Sequence, residues 1–385
     1  MTRPDPAGTW YSRPAARHWR CARPPESALG FHAGLPGYRR TPLVEQPALA
    51  AELGVGRVLV KDESSRLGLP AFKMLGASWA VARLLARRGG LTGSPTLEQL
   101  RHASAGRPLR LVAATDGNHG RAVARMAKML GADARIFVPW AVPDPAVAAI
   151  AGEGATVTRV DGPYDLAVQH AAAFAGARPE AELIQDMAWP GYQEVPRWIA
   201  DGYATMLHEI DAQLAALAGP TVPGLIVVPA GVGSLAQAVV AHCRSGPLAS
   251  DAVTATAVLS VEPDGAACVL ASLLAGELRT VPTAGTNMTG LNCGTPSAAA
   301  WPYLLAGLDA AVSVSDAAAA EAVADLARLG MSSGPCGAAT LAGARAALTG
   351  TGSPARRAGL GIDATSVVVL LSTEGGAAAH ASSRP

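Results

Sequence analysis

The sequence is short of the features that tie a protein to a polyanion, a bilayer or a thiolate scaffold. Neither sign of charge dominates. The chain has 31 Lys and Arg against 30 Asp and Glu, a formal net charge of +1, so no basic field exists to hold nucleic acid or an anionic membrane. No apolar run reaches the length of a bilayer span. Cysteine is sparse: five thiols stand at 21, 243, 268, 293 and 336, none in a CxxC pair, which argues against a zinc–thiolate site or a disulfide framework and predicts no metal site. The opening stretch "MTRPDPAGTWYSRPAARHWRCARPP" has arginines but no apolar signal core. The expectation is therefore a cytoplasmic protein without a secretion signal.

What the sequence does have is enough apolar material for two cores. The 385 residues are 50% hydrophobic and 16% charged, a globular balance at a length that suits two domains. The first 30 residues, rich in Pro and Arg, read as an irregular arm. Beyond them, period-2 or continuous apolar runs ("RVLVKDE", "LRLVAATDG", "ARIFVPW", "GLIVVPA", "TSVVVLLST") alternate with helical stretches closed by glycine, such as "GRAVARMAKMLG". That alternation predicts α/β architecture with mostly parallel sheets. In such sheets ligands bind beyond the carboxyl ends of strands. Four turns stand at those ends: "KDESSRLGLPAFK", "ATDGNHG", "PAGVGSL" and "LLSTEGG".

Each turn has a chemical reading beside an ordinary one. "PAGVGSL" places Gly231, Val232, Gly233, Ser234 and Leu235 between a strand and a helix. There, exposed backbone N–H groups and the helix dipole favour a phosphate, although a ligand-free tight turn would look the same. A dinucleotide fingerprint is not completed, because Ala236 fills its last position. In "ATDGNHG", Asp116 is a candidate general base and Asn118 a donor to an aromatic oxygen. His119 is weaker, since a polar turn and helix cap would account for the same residues. "LLSTEGG" ends a strand on Ser372 and Thr373, hydroxyls able to face a heterocyclic nitrogen, with Glu374 read as solvated or structural. Lys73 is the most pointed feature: one ammonium among Leu69, Pro70, Ala71, Phe72, Met74 and Leu75. An amine desolvated there can act as nucleophile, base or Schiff-base former. Lysine, phosphate turn, asparagine loop and hydroxyl strand end together suit pyridoxal phosphate.

With those motifs in view, the chain resembles the fold-type II pyridoxal-phosphate enzymes, the tryptophan synthase β-like superfamily. Within it the chain resembles the diaminopropionate ammonia-lyases. The matching stretches are "FHAGLPGYRRTPL", "KDESSRLGLPAFKMLGAS", "ATDGNHGRAVA", "QDMAWPGYQEVPRWIADGYATM", "AGVGSL", "VEPDGAAC", "GLNCGTPS" and "STEG", spread from about position 30 to 376.

The resemblance implies two doubly wound parallel-sheet domains with the cofactor in the cleft between them. The large domain would comprise 1–75 plus 200–385, with 1–30 as its arm, and the smaller would be 76–199. It implies a homodimer and a small amino-acid substrate. Lys73 would carry the cofactor as a Schiff base, Asn118 would contact the ring hydroxyl oxygen, and the turn Gly231–Leu235 would hold the phosphate. Ser372, with Thr373 as the alternative, would face the pyridine nitrogen. Asp116 and Asp186 match acidic residues beside the substrate, and the "KDESSR" run then looks like the same side of the pocket. Two carboxylates suit 2,3-diaminopropionate, whose β-carbon bears a second ammonium. The implied reaction is α,β-elimination to pyruvate and two ammonia, with Lys73 or Asp116 taking the α-proton. Bases on opposite faces would serve D and L substrates.

The chain also departs from the family. "SSGPCGA" puts Pro335 and Cys336 where the family has an acidic residue and a serine, and Thr295 stands where an acid is common. Such losses point toward a related β-substituted amino acid in specialised metabolism, or toward a serine or threonine dehydratase. A binding or sensing protein of the same fold would be expected to lack Lys73, which is present. Cys268 and Cys293 fall in two of the family-like segments and are expected to approach each other as free thiols in a reducing cytosol.

Overall fold

A computed structural model describes residues 9–22, 28–218, 222–245 and 256–376. Its eleven strands among the described residues are β1 (Trp10–Ser12), β2 (Leu43–Glu45), β3 (Arg57–Asp62), β4 (Arg110–Ala114), β5 (Asp133–Pro139), β6 (Thr156–Val160), β7 (Ala181–Leu183), β8 (Leu225–Pro229), β9 (Ala257–Pro263), β10 (Ala310–Val314) and β11 (Val367–Ser372). The chain divides into two compact units, each taken over its described residues. The larger spans Met1–Pro24, Arg40–Pro70 and Met206–Pro385, and the smaller spans Pro25–Arg39 and Ala71–Thr205.

The larger unit is built on a seven-stranded sheet in the order β1-β10-β9-β8-β11-β3-β2. The five inner strands are parallel, and the short outer strands β1 and β2 run antiparallel to their neighbours. Every residue of β8, β9 and β11 is buried. A parallel sheet covered on both faces needs such continuous apolar strands rather than alternating ones. Because the inner strands are parallel, Asp62, Pro229, Pro263, Val314 and Ser372 all end at one edge of the sheet. The phosphate-type turn and the hydroxyl strand end therefore emerge on the same side of this unit.

The smaller unit carries a four-stranded, all-parallel sheet in the order β6-β5-β4-β7. β4 and β7 are neighbours, with Val112 opposite Leu183. Consequently Asp116 and Asp186, which follow these two strands, leave the sheet side by side. Val112, Ala114, Phe137, Val160, Val168 and Leu183 form its core.

The expected irregular arm is corrected where it is described. Trp10–Ser12 pairs with β10, Pro14–His18 forms a 3-10 turn, and Ala28–Ala33 is a helix; residues 1–8 and 23–27 lie outside the described residues. Three residues suffice to cap a sheet edge, too few for alternation to be legible. The arm is also held by ion pairing, since Arg17 Nε donates to the fully buried carboxylate of Asp309 at 2.7 Å. The helix Ala28–Ala33 belongs to the smaller unit. The buried ring of His32 bonds Thr205 Oγ1 at 2.7 Å and the Leu75 carbonyl at 3.0 Å.

Candidate active site

In the smaller unit, Lys73 is the first residue of the helix Lys73–Gly89. The loop before it passes through two left-handed residues, Leu67 (φ 51°) and Gly68 (φ 76°). A leucine rarely adopts that conformation, and such residues persist only where the surroundings hold them. Behind Lys73 the helix makes an unusually close crossing. A Cβ built on Gly76 would lie 2.6 Å from the Tyr203 ring, and one on Gly202 would lie 2.5 Å from the Leu75 carbonyl. Two glycines thus let the helix Lys73–Gly89 and the helix Glu194–Ala215 touch backbone to backbone, one turn from Lys73.

The structure gives Lys73 a partner. Its ammonium donates to Asp186 Oδ2 at 2.7 Å, with the lysine side chain 22% exposed and the aspartate 8%. It also lies 5.4 Å from the centre of the Phe72 ring, which packs on Tyr203 at 4.7 Å. The picture of a lysine surrounded only by apolar groups is therefore corrected: a carboxylate 113 positions away satisfies it. Burial pushes the Asp186 carboxyl up, but the charge of Lys73 and its hydrogen bond outweigh it, holding the group down to about 2. Asp116 moves the opposite way. Burial and the Asp186 charge raise it to about 7, with Lys73 pulling only partly back. Two neighbouring carboxyl groups are thus split, one ionised throughout the neutral range and one poised near neutrality.

The loop geometry explains how these groups are held. Thr115 Oγ1 accepts from the N–H groups of Gly117 (2.9 Å) and Gly120 (3.0 Å), closing the turn into the helix Asn118–Leu130. His119 is buried and donates through Nε2 to the Ile184 carbonyl at 2.7 Å. Burial lowers its proton affinity, so a neutral ring pins the Asp116 loop to the Asp186 loop. Gln185 adds a second tie, accepting from the Ala114 N–H at 3.0 Å and donating to Tyr164 Oη at 2.6 Å. Tyr203 was not singled out by the sequence. It is fully buried and raised to about 12, chiefly by burial, with Lys73 lowering and Asp186 raising it. Its only sequence signal is the shared "GYAT" motif.

In the larger unit, β8 runs into Gly231, Val232 and Gly233, and the helix Ser234–Arg244 follows. Gly233 has φ +91°, and a Cβ there would lie 2.7 Å from Leu304. A Cβ on Gly231 would lie 3.0 Å from Cys293 Sγ. The turn is thus a backbone cradle at a helix N-terminus in which Gly231 and Gly233 leave no room for a Cβ, a form that suits a phosphate. Cys268 and Cys293 both flank Gly231 and neither forms a disulfide; burial is the main influence raising the Cys268 thiol. At the end of β11, buried Ser372 donates to Ser333 Oγ at 2.8 Å, and Thr373 is buried beside it.

One expectation in this unit is revised. Lys61, Glu63 and Arg66 of the "KDESSR" run are buried in an ion-pair network. Arg66 donates to both Glu63 oxygens and to both Glu209 oxygens at 2.6–2.8 Å, and Lys61 donates to Glu209 at 2.8 Å and to the Thr41 carbonyl at 2.8 Å. Lys61, Glu63, Arg66 and Glu209 are all at most 1% exposed. Of the two readings of Glu374 the structural one holds: its Oε1 accepts from the Cys336 N–H at 3.2 Å. A carboxylate thus caps the helix Pro335–Leu348 at the turn where Pro335 and Cys336 replace the family's polar pair. Thr295 bonds Thr280 at 2.9 Å in exposed surroundings.

Comparison with known proteins places these features. A family model described as "Pyridoxal-phosphate dependent enzyme" matches residues 35–372. The diaminopropionate ammonia-lyase of Escherichia coli (strain K12) is 38% identical over 283 residues, 72% of this chain and 68% of the relative. The crystal structure of the Escherichia coli enzyme in complex with D-serine superposes with a TM-score of 0.83 at 32% identity, covering 95% of this chain and 93% of that one. Its complex with an aminoacrylate-PLP azomethine reaction intermediate gives 0.81 at 31% identity, covering the same shares.

Proposed function

Because the chain belongs to the pyridoxal-phosphate-dependent enzymes and, within them, to the diaminopropionate ammonia-lyases, we propose that it converts 2,3-diaminopropionate and water to pyruvate and two ammonia by α,β-elimination. The observation that carries this reading is the grouping of Lys73, Asp186 and Asp116, an amine bonded to one carboxylate and in electrostatic reach of a second carboxyl group of opposite protonation tendency.

The residues present fit the cofactor. A cradle that only glycine can form suits its phosphate, and an amine at a helix start suits its aldehyde. When bound, pyridoxal phosphate supplies an electron-withdrawing system that acidifies the substrate α-carbon. Lys73 would carry the cofactor through its amine. The N–H groups from Gly231 to Leu235 would hold the phosphate, and Asn118 would meet the ring hydroxyl oxygen. Ser372, or Thr373 beside it, would offer a neutral hydroxyl to the pyridine nitrogen, a partner that favours elimination.

The two carboxyl groups divide the remaining work. Asp186, an anion across the neutral range, attracts the β-ammonium that distinguishes this substrate from serine. Lys73 amine takes the α-proton from one face and Asp116 takes it from the other; a carboxyl poised near neutrality can both accept and return a proton. The free enamine product hydrolyses to pyruvate and the second ammonia. The molecule acts as a cytoplasmic homodimer on this reading.

The test is pyruvate release from D- and L-2,3-diaminopropionate and from L-serine, each supplied alone. Lys73→Ala should abolish both turnover and the violet absorption of the bound cofactor. Faster pyruvate formation from L-serine than from either diaminopropionate would overturn the substrate assignment. Equal losses for both enantiomers in Asp116→Asn would overturn the division between faces.

A further inference from the structure

A cluster of metal-ligating side chains lies in the larger unit and has no part in the elimination chemistry. His208 and Asp211 stand on the helix Glu194–Ala215, and His242 stands on the helix Ser234–Arg244. One ligand atom from each lies within 4.8 Å of the other two. From this arrangement we infer a binding site for a first-row divalent transition metal of the zinc type, with His208, Asp211 and His242 as its protein ligands.

The geometry supports this in four ways. His208 and Asp211 are three residues apart, so their side chains share one face of the helix. His242 Nε2 is 2.9 Å from Asp211 Oδ2, and two ligands at tetrahedral zinc are about 3.3 Å apart, from bond lengths of about 2.0 Å. The widest pair therefore has to close by only about 1.5 Å, within reach of side-chain torsions alone. The imidazoles meet edge to face, with centroids 5.3 Å apart and planes at 76°, so both can point nitrogens at one point between the helices. Finally, the two histidines are half-buried and Asp211 is exposed, which leaves solvent to supply the fourth ligand.

The donor set selects the metal class. Two imidazoles and one carboxylate suit zinc, cobalt or nickel, whereas magnesium and calcium prefer oxygen ligands throughout. Two histidines beside one carboxylate would repel if both were protonated; a dication with both rings neutral removes that conflict. Binding requires the Nε2 proton shared between His242 and Asp211 to move to Nδ1 or to solvent. His242 also lies eight residues beyond Ser234, about 12 Å along the helix that opens at the glycine cradle. The metal would brace the far end of that helix against the helix Glu194–Ala215.

The experiment uses full-length holoenzyme, stripped with chelator and titrated with Zn2+ by calorimetry, with Mg2+ and Ca2+ as parallel arms. One tight zinc per chain is expected, with no comparable heat from Mg2+ or Ca2+. Replacing Co2+ for Zn2+ should give the visible bands of a tetrahedral centre. His208→Ala and His242→Ala should each weaken zinc by more than about 100-fold, beyond the 10–100-fold typical of losing an outer-shell partner. Asp211→Asn changes an exposed side chain and so reports even if the histidine variants fold poorly; it too should weaken zinc. Absence of a zinc equivalent in the wild type overturns the inference, as does undiminished affinity in Asp211→Asn or in the doubly substituted His208→Ala/His242→Ala protein.

Discussion

Replacing Asp116 by asparagine should stabilise the cofactor-free protein, and only at neutral to alkaline pH. The reason is the carboxyl's raised proton affinity, from an ordinary 3.8 to about 7, caused first by burial and then by the Asp186 charge. At 1.36 kcal/mol per pKa unit, that difference is at most about 4 kcal/mol, and the partial exposure of Asp116 reduces it. The sign follows from proton counting. Between about pH 4 and 7 the folded protein holds a proton at Asp116 that the unfolded chain has released, so stability falls as pH rises through this window and the full penalty stands above pH 7. Asparagine carries no charge and removes the penalty while keeping the shape. Urea unfolding followed by tryptophan fluorescence should show a gain of roughly 2–4 kcal/mol at pH 8 and almost none at pH 4. Asp186 acts in the opposite sense: its depressed value gives stability that is present above about pH 4 and lost as pH falls toward 2. An Asp116→Asn effect of equal size at pH 4 and pH 8 would refute the reasoning, because a packing or hydrogen-bond change carries no such pH dependence.

Three further substitutions probe other parts of the frame. Gly76→Ala forces a methyl into the Tyr203 ring and should cost about 1–3 kcal/mol, with a larger fractional loss of turnover than of cofactor affinity because it shifts the start of the Lys73 helix; melting and single-turnover assays separate the two. Arg66→Met leaves Glu63 buried without its cation and Glu209 with Lys61 alone, and should destabilise by about 3–5 kcal/mol; a melting temperature within a degree of wild type would show that the carboxylates find other partners. Gly233→Ala combines positive φ, worth roughly 1–2 kcal/mol, with a clash at Leu304, and should weaken pyridoxal phosphate binding about tenfold or more, read by titrating the cofactor into apoprotein.

Much of this architecture could be read before any coordinates. β8 and β11 announced themselves as continuous apolar strands, and the turns after them carried the glycines and hydroxyls that the structure sets on one sheet edge. Lys73 was conspicuous because ammonium groups are scarce in apolar runs. What escaped reading was pairing over long sequence separations. Asp186 lies 113 positions from Lys73, and nothing local marks it as the partner. "KDESSR" read as part of the substrate's side of the pocket because local composition cannot reveal Glu209, 143 positions beyond Arg66, which makes burial of the arginine tolerable. The cluster of His208, Asp211 and His242 was equally hidden, since an i,i+3 His–Asp pair is common on any solvent-facing helix.

The two three-residue strands at the margins of the large sheet bear on how the protein behaves at high concentration. β10 is an apolar strand, and without Trp10–Ser12 its outer N–H and C=O groups would be open to any extended chain. A short antiparallel strand blunts such an edge better than a long one, because it offers too few groups to template another partner. β2 plays the same part beside β3, with Glu45 adding a charge paired to Arg57 at 2.6 Å. Trimming the chain through Ser12 would therefore leave the chemistry of Lys73 in place while converting a closed sheet into one that recruits strands, so the loss would appear as aggregation rather than as slower turnover.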